Sequence, residues 1–302
     1  MDIKDYRYIL EVIKQGSISK AAKALYISQP SLSMFIKKLE KQVGDKFFHK
    51  TDGVMHLTTT GKVYMEYAQK ITTLDNELHM ELRKIKDLNR GEVTFGITKT
   101  RGSLLLHEIL PNFIKQYPNI RVKIIEDTSD YLEEFLYNRE LDFAILNYPF
   151  ETHEFDYTIL REEEVVVTIP KTNGICKKAK DVPGLAYKWI DILELREQPF
   201  ILLKKGQRMR QAADSLFTEA KIKPNVIWET TSAVTAYNLS TVGMGLSFVL
   251  DTYCKTIADP KINYFSVGRP QILFKMVAAY PSASLLSEAS KALIRIVKNC
   301  IL

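Results

Sequence analysis

The polar side chains of residues 28–37, in Ser28-Gln29-Pro30-Ser31-Leu32-Ser33-Met34-Phe35-Ile36-Lys37, gather on one face if the segment is helical. Gln29, Ser31 and Ser33 are short donors and acceptors near the start. Met34, Lys37 and Lys41 follow along the same face. A helix built this way can meet base edges with its first turn and phosphates with its flanks. The candidate DNA-contacting residues are therefore Ser17, Ser28, Gln29, Pro30, Ser31, Ser33, Met34, Lys37 and Lys50.

Neighbouring elements must hold that helix. Tyr6, Ile9, Leu10 and Ile13 are spaced as one face of a first helix, with Gly16 as its left-handed stop. Ser17 is a natural N-cap for a second helix carrying Ala21, Ala22 and Leu25, where paired alanines permit close approach. Ser28 caps the third helix, Pro30 occupies its first turn, and Gly44 ends it; Leu32, Ile36, Leu39 and Val43 form the expected buried stripe. Asp52-Gly53 lies between short β-prone runs in Lys50–Thr58 and predicts a hairpin, which beside a helix-turn-helix reads as a wing. A long helix is expected over about residues 62–88. Its apolar positions Val63, Tyr67, Ile71, Leu74, Leu78, Leu82 and Ile85 make a seam that a second copy of the chain would cover.

This end of the chain resembles the DNA-binding region of LysR-type transcriptional regulators. The resemblance rests on Ser17-Ile-Ser-Lys-Ala-Ala, Leu25, Ser28-Gln-Pro-Ser-Leu-Ser, Ile36, Leu39-Glu40, Gly44, Phe48, Leu57-Thr58 and Gly61. The chain departs from the family at Met34 and Lys50, where arginine is common. Lysine keeps a phosphate contact as a point charge but loses bidentate geometry.

Composition agrees with two domains and a polyanionic partner. Residues 1–90 hold 16 basic and 11 acidic side chains, while the remaining 212 hold 26 and 25. The excess positive charge thus sits on the helix-turn-helix end. An apolar signal region and an apolar run of membrane-spanning length are both missing, and Cys176, Cys254 and Cys300 make no disulfide framework. A cytoplasmic protein without membrane association, metal or cofactor is expected.

From Gly91 strands and helices alternate. Strands are expected at 92–98, 120–126, 141–146, 163–170, 198–203, 225–230, 246–250 and 273–280. Helices are expected at 104–116, 131–138, 209–220, 232–242 and 284–301. This predicts an α/β domain with a parallel, doubly wound sheet, which binds ligands beyond the C-terminal strand ends. The strand ends supply Thr98, Thr100, Thr128, Ser129, Asn147 and Tyr148, with Lys204, Gln207 and Thr231 at comparable places further on. The alternative for each is that it simply caps a helix.

The same region is similar to the family's effector-binding domain through Gly91-Glu-Val-Thr-Phe-Gly96, Ile109-Leu-Pro-Asn-Phe113, Tyr117-Pro118, Glu140-Leu-Asp-Phe-Ala-Ile145 and Val242-Gly-Met-Gly-Leu246. Leu250 departs from a common proline, and Asn147 stands where some relatives carry arginine. The whole chain then divides into a winged helix-turn-helix at 1–61, a linker helix at 62–90 and an effector domain at 91–302. The effector domain would be of the two-subdomain, periplasmic-binding-protein-like (type 2) fold. Subdomain I takes about 91–160 and 267–302, and subdomain II about 161–266. The resemblance implies a homodimer doubled to a homotetramer, a palindromic double-stranded operator, a small-molecule effector between the subdomains, and RNA polymerase as a further partner. Enzyme readings find little support. The five histidines (49, 56, 79, 107 and 153) are scattered, and Gly243-x-Gly245 lacks a third glycine. A redox regulator would need closely spaced cysteines, and Cys176 and Cys254 are far apart in the chain.

Overall fold

The computed structural model describes residues 3–51, 54–84, 91–150 and 152–301. Three helices open the chain: α1 (Ile3–Gln15), α2 (Ile18–Ala24) and α3 (Gln29–Val43). Ile9 and Val12, Ala21 and Ala22, then Leu32, Ile36 and Leu39 close a single core with Phe47. The expected α1 face is displaced by one position, since Val12 is fully buried and Leu10 and Ile13 only partly. Val43 is also not part of the stripe: it is 38% exposed. The core ends at Leu39, and Gly44, at φ 87°, turns the chain away directly after Val43.

A hairpin follows, β1 (Phe48–Thr51) against β2 (Val54–Leu57), with His49 opposite His56. The Asp52-Gly53 turn expected there lies outside the described residues, as does the side chain of Lys50. Helix α4 (Thr59–Lys84) then packs on α1. Its first turn needs glycine, because a Cβ at Gly61 would fall 2.1 Å from the carbonyl oxygen of Phe47. Thr58 closes that junction by donating its hydroxyl to Lys46 O at 2.6 Å and accepting from Gly61 N at 2.9 Å.

The second part begins with β3 (Gly91–Thr98), α5 (Lys99–Gln116), β4 (Ile120–Asp127), α6 (Ser129–Tyr137), β5 (Phe143–Tyr148) and β6 (Asp156–Pro170). It continues with β7 (Pro199–Leu203), α7 (Arg208–Glu219), β8 (Asn225–Thr230), α8 (Ala233–Thr241), β9 (Ser247–Leu250), α9 (Asp251–Thr256), β10 (Ile262–Ser266), β11 (Leu273–Tyr280) and α10 (Glu288–Cys300). Strand order is β10-β6-β11-β5-β3-β4, with β9 also beside β6. The sheet is mixed where a parallel one was expected. β3 runs parallel to β4 and β5, but β11 is antiparallel to β5 and β6, and β9 and β10 are antiparallel to β6.

Strand β6 belongs to two lobes. Asp156–Glu164 pairs with β11, and from Val165 onward the partners become β9 and β10. The parallel pair β7-β8 completes the second lobe. Sequence patterning missed the outer half of β6 because Tyr157, Arg161 and Glu162 interrupt its apolar rhythm. It also missed β10 and α9, and it began α5 five residues late because Lys99-Thr100-Arg101-Gly102 resembles a loop. The expected C-terminal helix divides into a short 3-10 turn, Ala283–Leu285, and α10.

Candidate functional site

Two sites emerge, one on the helical head and one between the lobes. On the head, Ser17 caps α2 by accepting from Lys20 N at 3.5 Å, and Ser28 caps α3 by accepting from Ser31 N at 3.3 Å. The Ser28 and Ser31 hydroxyls also meet at 2.7 Å. Both therefore shape the first turn of α3, while Gln29 and Pro30 beside them are exposed. Ser33 is half-buried, Lys37 is exposed, and Met34 is 66% exposed. Glu40, on the inner side, accepts from Phe47 N at 2.8 Å and ties α3 to the chain entering the wing. Sequence pattern does not mark Tyr26, yet it is 96% exposed in the turn between α2 and α3 and adopts φ 56°. The signal was an aromatic residue where a turn favours Gly or Asn.

Most of the expected seam of α4 is open. Val63, Tyr67, Leu74, Leu78 and Leu82 are exposed, up to 67% at Leu74, Ile71 is half-buried, and Ile85 lies outside the described residues. Helix α4 and the head also touch the first lobe. Asn76 donates to Asn138 O at 2.8 Å, and Lys14 Nζ lies 5.4 Å and 5.1 Å from the ring centres of Tyr131 and Phe135 on α6.

Between the lobes is a cavity of about 150 Å³. Of the nine residues selected from strand ends, Thr98, Thr100 and Asn147 line it; Thr128, Ser129, Tyr148, Lys204, Gln207 and Thr231 do not. Thr128 and Ser129 begin α6, and Thr98 and Thr128 occupy N-cap positions without a side-chain capping bond. Lys204 is exposed, and Gln207 donates to Thr231 O at 3.0 Å. The depth of the cavity instead holds Arg101 and Glu163. The Arg101 guanidinium grips both Glu163 carboxylate oxygens and donates to Asn147 Oδ1 at 2.6 Å. Glu163, fully buried, also accepts from the Thr252 hydroxyl. Burial pushes its carboxyl up, but Arg101 and the Thr252 bond outweigh that and hold it below the usual range. Arg208 reaches across the cleft to donate to Asn147 O at 3.0 Å and to Pro149 O.

The three cysteines are free and belong to different surroundings: Cys176 packs on the second lobe's core, Cys254 and Cys300 on a larger core to which both lobes contribute. Burial pushes the Cys254 thiol up to about 12. Among the described residues no cluster of three or more His, Cys, Asp or Glu could hold a metal, and no helix is long and apolar enough to cross a membrane.

Comparison with known proteins covers both sites. Residues 3–62 match the model of the bacterial regulatory helix-turn-helix protein, lysR family, and residues 86–300 that of the LysR substrate binding domain. The chain is 31% identical over 279 residues to the HTH-type transcriptional regulator YcgK of Bacillus subtilis (strain 168), covering 88% of this chain and 85% of that one. Full-length OxyR from Pseudomonas aeruginosa shares the fold with a TM-score of 0.66 and 22% identity, covering 100% of this chain and 94% of that one. CbnR, a LysR family transcriptional regulator, gives 0.61 and 20%, with both chains covered completely.

Proposed function

The chain belongs to the LysR family of helix-turn-helix transcriptional regulators, and from that premise we propose how its parts divide the work. The outer face of α3 reads base edges through Gln29 and Ser33, while Lys37, Lys50 and Tyr26 contact phosphates. Two chains pair along the α4 seam in the cytoplasm and bind a palindromic operator, with dimers doubled to tetramers. A small molecule fills the cavity between the lobes and changes how the head is held. It can do so only by binding one arrangement better than the other. The contacts of α1 and α4 with α6 give a route by which lobe movement reaches the head.

The observation that carries this reading is the α3 face, where the capped first turn leaves Gln29 exposed and the buried stripe fixes the opposite side. The test is to capture genomic DNA fragments with full-length protein, with and without metabolite extract, and to sequence them. Discrete palindromic sites whose occupancy changes with extract are expected. Diffuse capture in both conditions, lost steeply with salt, would remove the sequence-specific reading. Ala233→Trp, which fills the cavity, is expected to keep the sites and lose the response to extract.

A further inference from the structure

At the depth of the effector cavity two opposite charges meet, and one buried donor has no hydrogen-bond partner among the described residues. Arg101 and Glu163 neutralise each other at its depth, and Glu163 takes a further hydrogen bond from Thr252. A carboxylate entering here would face the Glu163 anion unless Arg101 let go, and breaking a buried ion pair is costly. An ammonium would face Arg101 for the mirror reason. Leu104, Leu105, Met209, Val249 and Phe274 make much of the remaining wall apolar. Tyr253 also lines the cavity; it is only 3% exposed, and its hydroxyl has no hydrogen-bond partner among the described residues. A buried hydroxyl left unmatched is expensive. Burial pushes this phenol up, so it stays protonated and able to donate.

Resting on the reading of this cleft as the effector site, we propose that the ligand is a small uncharged molecule with an apolar body and one oxygen acceptor, which takes its hydrogen bond from the hydroxyl of Tyr253. Size agrees, since a cavity of about 150 Å³ is comparable with an engineered one that holds benzene. The ligand's oxygen then satisfies the phenol, its body lies against the leucines and Phe274, and the Arg101–Glu163 pair stays closed beneath it. Arg208 at the mouth is occupied by the Asn147 and Pro149 carbonyls and ties the lobes together.

The test uses three probes of similar size that share a phenyl ring and carry a neutral, anionic or cationic polar group: benzyl alcohol, benzoate and benzylammonium. Each is titrated by calorimetry into full-length wild type, Tyr253→Phe and Ala233→Trp. Benzyl alcohol is expected to saturate wild type and to bind at least tenfold more tightly than either ion. Its affinity should fall about tenfold in Tyr253→Phe, the loss of one hydrogen bond, and vanish in Ala233→Trp. Tyr253→Phe should melt no lower than wild type, because the deleted hydroxyl has no partner to lose among the described residues. Benzoate or benzylammonium binding as tightly as the alcohol, an unchanged Tyr253→Phe affinity, or no saturable binding of the alcohol would each overturn the proposal. The cleft itself is judged apart from this. If Ala233→Trp still responds to metabolite extract in DNA capture, the effector-site reading falls. If it loses the response while the alcohol fails to bind, only the ligand class falls.

Discussion

The reading head and the ligand cavity are assembled on opposite plans. The head's described contact candidates lie within residues 17–37, on two short helices and the turn between them. The cavity draws on residues from Thr98 to Phe274, contributed by strands and helices of both lobes. Local order governs the first: caps at Ser17 and Ser28 act within three residues, and the buried stripe follows helical spacing. The second exists only when distant segments meet. A ligand at such a junction can therefore act on the relative position of the lobes, whereas a helix tip with its own core keeps its shape while its placement changes.

The contrast can be broken most forcefully at Arg101. Arg101→Met leaves the Glu163 carboxylate buried without its partner, and unfolding in urea should show a loss of about 3–5 kcal/mol. Adding Glu163→Gln should recover much of it. Undiminished stability in the single variant would show that Glu163 does not depend on Arg101 for its burial. Acid acts on the same pair. Because the folded state holds Glu163 below the usual carboxylate range, its contribution is present above the unfolded value and is lost as pH falls through the lower folded one. A melting temperature that declines on acidification in wild type, with a shallower decline in Glu163→Gln, checks that sign.

Next in size is the seam. Leu74→Asp with Leu78→Asp should convert dimers to monomers in sedimentation and lower operator affinity by about 100-fold or more, because two linked half-sites lose their avidity. Retained dimers would move the pairing surface elsewhere.

Smaller effects sharpen the picture of the head. Gln29→Ala should lose about 1–3 kcal/mol of discrimination at one base pair of each half-site, while binding to random DNA stays nearly unchanged. Lys37→Ala should weaken all sequences alike and reduce the salt slope by about 1. If the two variants behaved identically on operator and random DNA, the division between base and phosphate contacts would fail.

Where the sequence was legible, the cause was local. The glycines closing α1 and α3, the serine caps and the leucine stripe could be named because each acts within a turn or two of itself. The two errors in the head, Val12 omitted and Val43 included, arose at helix margins where spacing alone does not say how far the core extends. In the effector domain the strands with apolar rhythm were found, but β10 and the polar half of β6 were not. Hydrogen bonds to partners far along the chain hold those segments in the sheet. Arg101 directly follows Thr100, but the run Lys99–Gly102 has the composition of a loop and hides its place in α5. Glu163 opened an expected strand, and a charge bordering a buried apolar run was the available sign of a partner.

By itself the sequence determined a capped three-helix head with a polar outer face on its third helix, a row of apolar residues along the helix that follows, and an α/β second part. Short-range spacing and side-chain size suffice for those. Only tertiary structure decided that the cavity carries a closed ion pair and a buried phenol without a hydrogen-bond partner among the described residues. Arg101 and Glu163 are 62 positions apart, and Tyr253 arrives on a short helix that no sequence pattern announced. Whether a buried charge is neutralised depends on which distant group the fold brings within hydrogen-bonding distance of it, and residue spacing along the chain does not encode that distance.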